Sequence, residues 1–256
     1  EYEQFKLDTG KTYWFDLSGV GIPGMLNSGY NQDSDKFDPL PDTTLHYVPF
    51  TYAGTVLAYA RKEAGVSTEE TVTPAYHSLF IADYNVTHSV LWNTLNENSL
   101  IFGKPYTSGG VDYTLRAPSV GSAGNSQTMD ASRCSPARNE WDTILNKGSG
   151  WIKNWSGICS LGQDNRTANE SDRMMRGRDS IRTVSFIDKN YSTTFAGFRP
   201  VLEVPAELSS DALQTATLNL NGGSVGSVTD PLNIVYTGET YTAPSGAGLT
   251  APEENK

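Results

Sequence analysis

Cysteine and histidine are scarce in this sequence. Of its 256 residues, two are cysteines, Cys134 and Cys159, and three are histidines. The cysteines are compatible with one disulfide or with two unrelated thiols, because spacing alone does not fix a pairing. The histidines show neither an HxH nor an HExxH spacing. We therefore expect structural histidines, no metal site and no cofactor.

Basic residues are also few. Lysine and arginine total 19 against 29 aspartates and glutamates, which gives a formal net charge of −10. A face for nucleic-acid phosphates would have to form against that field, so we expect no nucleic-acid partner. No apolar run reaches the roughly 18 residues that span a bilayer, so we expect no direct membrane insertion. Apolar residues still make up 37% of the chain, which is enough for a sizeable core.

The apolar pattern predicts two helices and several short strands. One helix is predicted over residues 89–95, where apolar residues recur at helical spacing. A second is predicted to begin at Ser135 and Pro136, as N-cap and first-turn proline, and to end at Gly148. The predicted strands of this part of the chain are residues 46–53, 77–85, 113–117 and 198–204.

Two stretches depart from this pattern. Residues 150–195 are rich in Asn, Ser, Arg and Asp, which predicts ordered functional loops without regular structure. The stretches 216–222 and 232–236 alternate as exposed strands do, which predicts a second, small β module. The predicted boundaries are therefore residues 1–208 for the main domain and 209–256 for the β module.

Four segments in a fixed order resemble the formylglycine-generating (sulfatase-modifying) enzymes. LFIADYNVTHSVLWNTLN is similar to their strand–EVT–helix opening, and YTLRAPS with NEWDTIL is similar to RLPTEAEWE split by an insertion. RMMRGRDS is similar to the RGGSW turn, and GFRPVLE to the closing GFR strand. The resemblance covers about residues 77–204. It implies an α+β protein with the C-type lectin fold, whose long loops display a site above a small sheet.

A closer resemblance exists to the variable proteins of diversity-generating retroelements in bacteria and phages. It is carried by IKNWSGICSLGQD, residues 152–164, together with the RG and GFRPVLE segments. The variable stretch of those proteins precedes the final GFR-type strand, which implies a variable region over about residues 150–197. Residues 216–256 resemble an internalin-type β-grasp repeat. Both resemblances imply a location outside the cell or on its surface, or on a phage virion.

The resemblance also implies which positions vary. Those retroelements mutate template adenines, typically in AAC or AAT codons, and such codons never become Lys, Glu, Gln, Met or Trp codons. Glu170, Met174, Met175 and Lys189 are therefore expected to belong to the fixed scaffold. Residues 178–188 contain only permitted residue types.

The expected function is non-enzymatic binding of a protein or another surface ligand. Binding surfaces favour Tyr, Trp and Arg set among small polar residues, and this mixture occurs in the variable stretch. An alternative for Phe186 and Phe195 is that they anchor the loops in the core. The predicted ligand face consists of Ile158, Leu161, Asp172, Arg178, Asp179, Thr183, Ser185, Phe186, Ile187, Asp188, Asn190, Tyr191, Thr193 and Phe195.

Other functions remain as alternatives. An oxygen-dependent formylglycine enzyme needs paired cysteines near the final strand for copper, and residues 176–199 contain none; Cys134 and Cys159 both precede this stretch. A degenerate oxidase would have to use Cys134 or Cys159. Asp164, in a predicted turn, is a candidate calcium ligand. A fixed surface adhesion module is the third alternative.

Overall fold

A computed structural model describes residues 2–29, 44–124, 129–130, 134–246 and 248–252. Within these ranges the chain is mainly β, with fifteen strands and two short helices. None of the described helices is long and apolar enough to cross a membrane. The elements are β1 (Thr12–Phe15), β2 (Met25–Leu26), β3 (Val48–Ala58), β4 (Ala75–Ala82), β5 (Thr87–His88), α1 (Trp92–Glu97), β6 (Lys104–Ser108), β7 (Val111–Arg116), β8 (Met129–Asp130), α2 (Glu140–Lys147), β9 (Cys159–Arg166), β10 (Asn169–Gly177), β11 (Thr183–Asp188), β12 (Ala196–Phe198), β13 (Val201–Glu203), β14 (Leu213–Thr217) and β15 (Leu232–Tyr236).

Two sheets form the body of the protein. A six-stranded antiparallel sheet has the order β1-β3-β4-β13-β7-β6, and β3 is buried along almost its whole length. A seven-stranded sheet has the order β2-β5-β12-β9-β10-β11-β8. Its β9 and β12 run parallel, while its other pairs are antiparallel. The chain passes from the second sheet to the first between β12 and β13, through Arg199 and Pro200.

Arg199 fixes this crossing. Its guanidinium is fully buried and donates to Ser160 Oγ of β9 at 2.9 Å and to the Ala82 carbonyl of β4 at 2.8 Å. A third bond, of 2.9 Å, reaches the carbonyl of Asn154 in the loop before β9. Burial lowers the pKa of Arg199 to about 9, so the side chain stays charged at neutral pH. One side chain therefore ties both sheets to the loop that precedes β9.

The helices cover different parts of the core. Leu95 of α1 is fully buried in the larger cluster, which includes Phe80 and Phe198. Trp141 of α2 is fully buried in a second cluster with Ile81 and Met174. Trp92 of α1 is also a core residue, since it is only 2% exposed.

The start of α2 corrects the sequence prediction. The N-cap is Asn139 rather than Ser135, and its side-chain oxygen accepts the backbone N–H of Asp142 at 2.8 Å. The predicted end at Gly148 is confirmed. The other helix begins at Trp92 rather than at residue 89, because Ser89 has a left-handed φ of 53° that no helix accommodates.

Several strand limits also differ from the predictions. The strand predicted over 46–53 runs from Val48 to Ala58, and the one predicted over 77–85 runs from Ala75 to Ala82. The stretch 198–204 is divided between β12 and β13, which belong to different sheets. The strand predicted over 216–222 ends at Thr217, which pairs with Leu232 of β15. The next residue of the partner strand is Pro231, which accepts the N–H of Leu218 but has no N–H to return, so the ladder stops there.

The prediction of irregular loops over 150–195 was wrong, because β9, β10 and β11 occupy most of it. The α+β class is corrected to mainly β for the same reason. These strands carry polar side chains on buried positions, so the alternation of apolar residues is absent. Asp164 illustrates this: it is fully buried in β9 and lies in no turn. Val120 and Gly121 donate their backbone N–H groups to its carboxylate at 2.7 and 3.0 Å.

The segment after residue 208 packs on the rest of the chain. Its strands β14 and β15 form a two-stranded antiparallel ladder. Leu213 and Ile234 from these strands belong to the larger core cluster, and Val225 packs with Trp14 of β1. Its assignment as a separate β-grasp-like module stays a prediction, and residues 247 and 253–256 lie outside the described residues.

A buried ion cluster joins α2 to the six-stranded sheet. Arg116 donates to both carboxylate oxygens of Glu140, at 2.8 and 2.5 Å, and His77 Nε2 lies 2.7 Å from the same group. Burial would raise the pKa of Glu140, but the charge and hydrogen bonds of Arg116 outweigh it and lower that pKa to about 2. Burial would lower the pKa of His77, but Glu140 outweighs this effect and raises it.

Glu140→Gln is expected to lower the free energy of unfolding by about 3–5 kcal/mol at neutral pH, because Arg116 is left buried without its full partner. Denaturant titration measures this. The carboxylate of Glu140 stabilises the fold fully above its ordinary pKa of 4.5 and loses this effect as the pH falls through about 2. Wild type should therefore lose more stability than the variant on acidification.

Glu203→Gln, at a partly exposed partner of Arg116, is the control and should cost under about 1 kcal/mol. Equal costs for the two variants would contradict this description.

Candidate functional site

A cavity of about 740 Å³ opens beside β11 and the loops that flank it. This volume falls in the usual range for ligand pockets, roughly 300–1,000 Å³. Of the fourteen residues predicted as the ligand face, eleven line it. The cavity is lined by Cys159, Asp172, Arg178, Asp179, Thr183, Ser185, Phe186, Ile187, Asp188, Asn190, Tyr191 and Phe195.

Strand pairing brings part of the lining together. β10 pairs with β11 so that Asp172 lies opposite Asp188 and Met175 lies opposite Ser185. β9 pairs with β10 on the other side, which places Cys159 opposite Gly177. The cavity is therefore built on a sheet whose buried side chains, such as Met175, belong to the core.

Backbone contacts from the scaffold hold the loops. The N–H of Asn93 in α1 donates to the carbonyl of Lys189, and the N–H of Cys159 donates to that of Phe195 at 2.7 Å. The indole of Trp141 in α2 donates to the carbonyl of Ile181 at 2.9 Å. The lining loops are thus positioned by their carbonyl groups and by two lining side chains. Asn190 Oδ1 accepts from the Asn93 side chain at 2.6 Å, and the Asp188 carboxylate accepts the N–H of Asn190 at 2.8 Å.

Arg178 has an unusual backbone conformation in this site. Its φ is +79°, and it follows Gly177, whose φ is +100°. The Arg178 N–H donates to the carbonyl of Trp155 at 2.7 Å, and its carbonyl accepts the N–H of Gly157 at 3.0 Å. Left-handed conformations cost non-glycine residues about 1–2 kcal/mol. The two hydrogen bonds hold the strained residue, which is a common arrangement at functional sites.

Arginines cover two aromatic rings of the lining. The guanidinium carbon of Arg178 lies 4.3 Å from the centroid of the Phe195 ring, and that of Arg166 lies 3.9 Å from Phe186. Arg166 also forms an ion pair of 3.0 Å with Asp172. Phe186 and Phe195 are both partly exposed, so they contribute to the cavity surface as well as packing against their neighbours. Tyr191 is 62% exposed.

Three predicted residues are not brought to the cavity. Ile158 and Leu161 are each 1% exposed and do not line it, which corrects their assignment to the ligand face. Leu161 lies in β9 and belongs to the larger core cluster, whereas Ile158 is buried just before this strand. Thr193 lies in the loop beside the cavity, where its carbonyl accepts the N–H of Ser89 at 3.2 Å. Its role is to position this loop.

Cys159 is the lining residue that the sequence analysis missed. It directly follows Ile158, which was predicted to belong to the ligand face. This position next to a predicted residue was the sequence feature that could have indicated it. Burial raises the pKa of Cys159 to about 12 and that of Cys134 to about 11, so both thiols are neutral at physiological pH. The two cysteines are free in the structure, which leaves the disulfide alternative without support.

The buried polar residues are already engaged. Asp164 accepts hydrogen bonds from the Tyr59 and Ser67 hydroxyls as well as two backbone N–H groups, so its oxygens are not available to calcium. Over the described ranges, no group of three or more His, Cys, Asp or Glu side chains converges as a metal site would require. The buried arginines are engaged as well, since Arg176 pairs with Asp142 at 2.5 Å and Arg199 donates to the carbonyl of Ala82 at 2.8 Å.

A second cavity, of about 780 Å³, lies along β6. The hydroxyl of its aromatic residue, Tyr106, already donates to the carbonyl of Asp16 at 2.9 Å, and Lys104 donates to that of Val20 at 2.8 Å. Its principal recognition groups are therefore engaged within the fold. The cavity beside β11 is the better candidate site.

Comparison with known proteins gives no relative. No protein-family model, curated protein or solved structure matches this chain significantly. The site must be interpreted from its own geometry.

The strain at Arg178 can be measured. Arg178→Gly is expected to be more stable than Arg178→Ala by about 1 kcal/mol, because both variants lose the guanidinium but only glycine removes the left-handed penalty. Thermal or denaturant unfolding tests this. Arg182 has no positive φ and provides the control. There, the glycine variant should be no more stable than the alanine variant. A glycine advantage at both sites, or at neither, would contradict the assignment.

Proposed function

We propose that this protein is a non-enzymatic ligand-binding protein that displays diversified side chains on a C-type lectin scaffold. Its scaffold would be of the formylglycine-generating-enzyme-like branch, as in the variable proteins of diversity-generating retroelements. Its partner is a protein or another surface ligand, met outside the cell, at the cell surface or on a phage virion. The cavity beside β11 is the proposed ligand site.

One observation carries the proposal: the side chains of Arg178, Asp179 and Tyr191 take no part in the hydrogen bonds that hold the loops. The loops are anchored through carbonyls to α1, α2 and β9. Among the described residues, the side chains of Arg178, Asp179 and Tyr191 form no hydrogen bond or ion pair. Side chains so placed can change without removing the contacts that fold the chain, which is the physical requirement for diversification.

Two further features support the same reading. Met174 and Met175, expected to be fixed because mutated AAC or AAT codons cannot encode methionine, are each 1% exposed in the core. Arg178 has a left-handed backbone, and the family-like RGGSW turn carries a glycine after Arg-Gly. AAC and AAT encode asparagine, the non-glycine residue that tolerates this conformation best. A template asparagine at this position would therefore fold without difficulty.

The enzyme alternative has less support. Cys134 and Cys159 lie in different core clusters, and burial raises both pKa values. The copper site of the formylglycine-generating enzymes requires two neighbouring thiolates. Two separated thiols that stay protonated do not supply them. The fixed adhesion module uses the same cavity with an invariant ligand and differs only in whether its lining varies.

The coding DNA separates the two binding alternatives. We expect a reverse transcriptase gene nearby, together with an imperfect copy of the segment that encodes residues 150–197. Differences between the two copies should fall at adenines and map to cavity residues such as Arg178 and Tyr191, and not to Met174. Sequencing the locus in several isolates provides the measurement. An invariant locus with neither element would favour the fixed adhesion module.

Replacing the side chains tests whether the cavity is separable from the fold. The triple variant Arg178→Ala, Phe186→Ala and Tyr191→Ala is expected to abolish ligand binding and to cost little stability, under about 2 kcal/mol in total, since all three side chains are partly exposed. Leu161→Ala, in the core, is the control and should cost about 2–5 kcal/mol alone. If the triple variant loses more stability than Leu161→Ala, its residues are core residues and the proposal fails.

A further inference from the structure

The chemistry of the cavity indicates which ligands this copy accepts. Resting on the proposed function, we infer that Arg178 is its specificity-determining residue and that it recognises a carboxylate group of the ligand. A free small molecule, an exposed peptide terminus and an acidic side chain all present this group, and the chemistry of recognition is the same for each.

The Arg178 guanidinium has unused hydrogen-bonding capacity. Within the part of the chain that the structure describes, it donates no hydrogen bond and pairs with no carboxylate. The neighbouring arginines differ, since Arg166 is paired with Asp172 and Arg176 with Asp142. A guanidinium presents five N–H donors in a planar fork that matches a carboxylate.

The fold also orients the Arg178 guanidinium. Its carbon lies 4.3 Å from the centroid of the Phe195 ring, which supports one face. The left-handed backbone, held by Trp155 and Gly157, fixes the point from which the side chain leaves the chain. An arginine that is stacked and anchored loses less entropy when it binds than a freely moving one. Because the Arg178 guanidinium is unpaired, oriented and part of the cavity lining, it is suited to bind a ligand carboxylate through two hydrogen bonds.

The rest of the lining defines the remainder of the ligand. Phe186 and Tyr191 offer aromatic surface for an apolar group. Asp179 and Asp188 line the same cavity, so their charges disfavour a ligand with a net negative charge, and they accept hydrogen bonds from amide or ammonium donors. The ligand is therefore expected to combine one carboxylate with donor groups and an apolar group, as amino acids and peptide termini do.

Three probes with the same side chain separate these features. L-Phenylalanine is a zwitterion, N-acetyl-L-phenylalanine is an anion, and L-phenylalaninamide is a cation without a carboxylate. Each is titrated into the full chain, and the Nε–Hε signal of Arg178 is followed by NMR. We expect saturable shifts with both carboxylates, strongest for the zwitterion, and none with the amide.

Variants then assign the effect to the fork rather than to charge alone. Arg178→Lys keeps the positive charge and should weaken carboxylate binding by about tenfold or more, because a lysine cannot form the bidentate pair. Arg182→Lys, on the same loop but outside the lining, is the matched control and should leave binding unchanged. Melting curves of both variants should match wild type.

The outcomes distinguish this inference from the proposed function. Binding of the amide at least as tight as that of the carboxylates, with shifts at the cavity, overturns carboxylate recognition and leaves the cavity as a ligand site. Unchanged carboxylate affinity in Arg178→Lys also overturns it. The absence of any shift with all three probes overturns it too, and the coding-DNA comparison then decides the proposed function on its own. A free peptide ending in phenylalanine, compared with its C-terminal amide, separates a macromolecular source of the carboxylate from a small-molecule one.

Discussion

The three hydrogen bonds of the buried Arg199 guanidinium hold the two sheets together at the point where the chain passes between them. The bonds join β9, β4 and the loop before β9, so the cavity and the main core share one anchor. A buried cation is costly unless its donors are satisfied, and here all partners are neutral oxygens. The arrangement works because the bonds are short and because Asp83 contributes a compensating field.

The same principle extends to the rest of the interior. Arg116 with Glu140, and Arg176 with Asp142, join α2 to the two sheets through fully buried charges. Such pairs fix geometry, since one orientation satisfies all donors and acceptors and displaced ones leave charges unpaired. The loops around the cavity are held in this framework by backbone groups. The side chains of Arg178, Asp179 and Tyr191 take no part in those contacts.

Much of the organisation was predictable from local pattern. The strands around residues 48–58 and 75–82 were expected because both segments are rich in apolar residues, and the end of the second helix was expected from Gly148. β9 and β10 were missed because their buried positions hold residues such as Asp164 and Arg176, whose partners are distant in sequence. Eleven lining residues of the cavity were named from the resemblance, whereas Ile158 and Leu161 were misplaced because nothing local marks which side of a strand faces inward.

The sequence by itself determined the scarcity of cysteine and histidine, the acidic net charge and the mixture of aromatic, arginine and small polar residues before the final strands. These are properties of composition and order. Only the tertiary structure decided that Arg178 lies unpaired over Phe195 while Arg166 and Arg176 are neutralised. The reason is physical: whether a charge is available to a ligand depends on the partners that folding brings to it, and those partners come from other strands and helices.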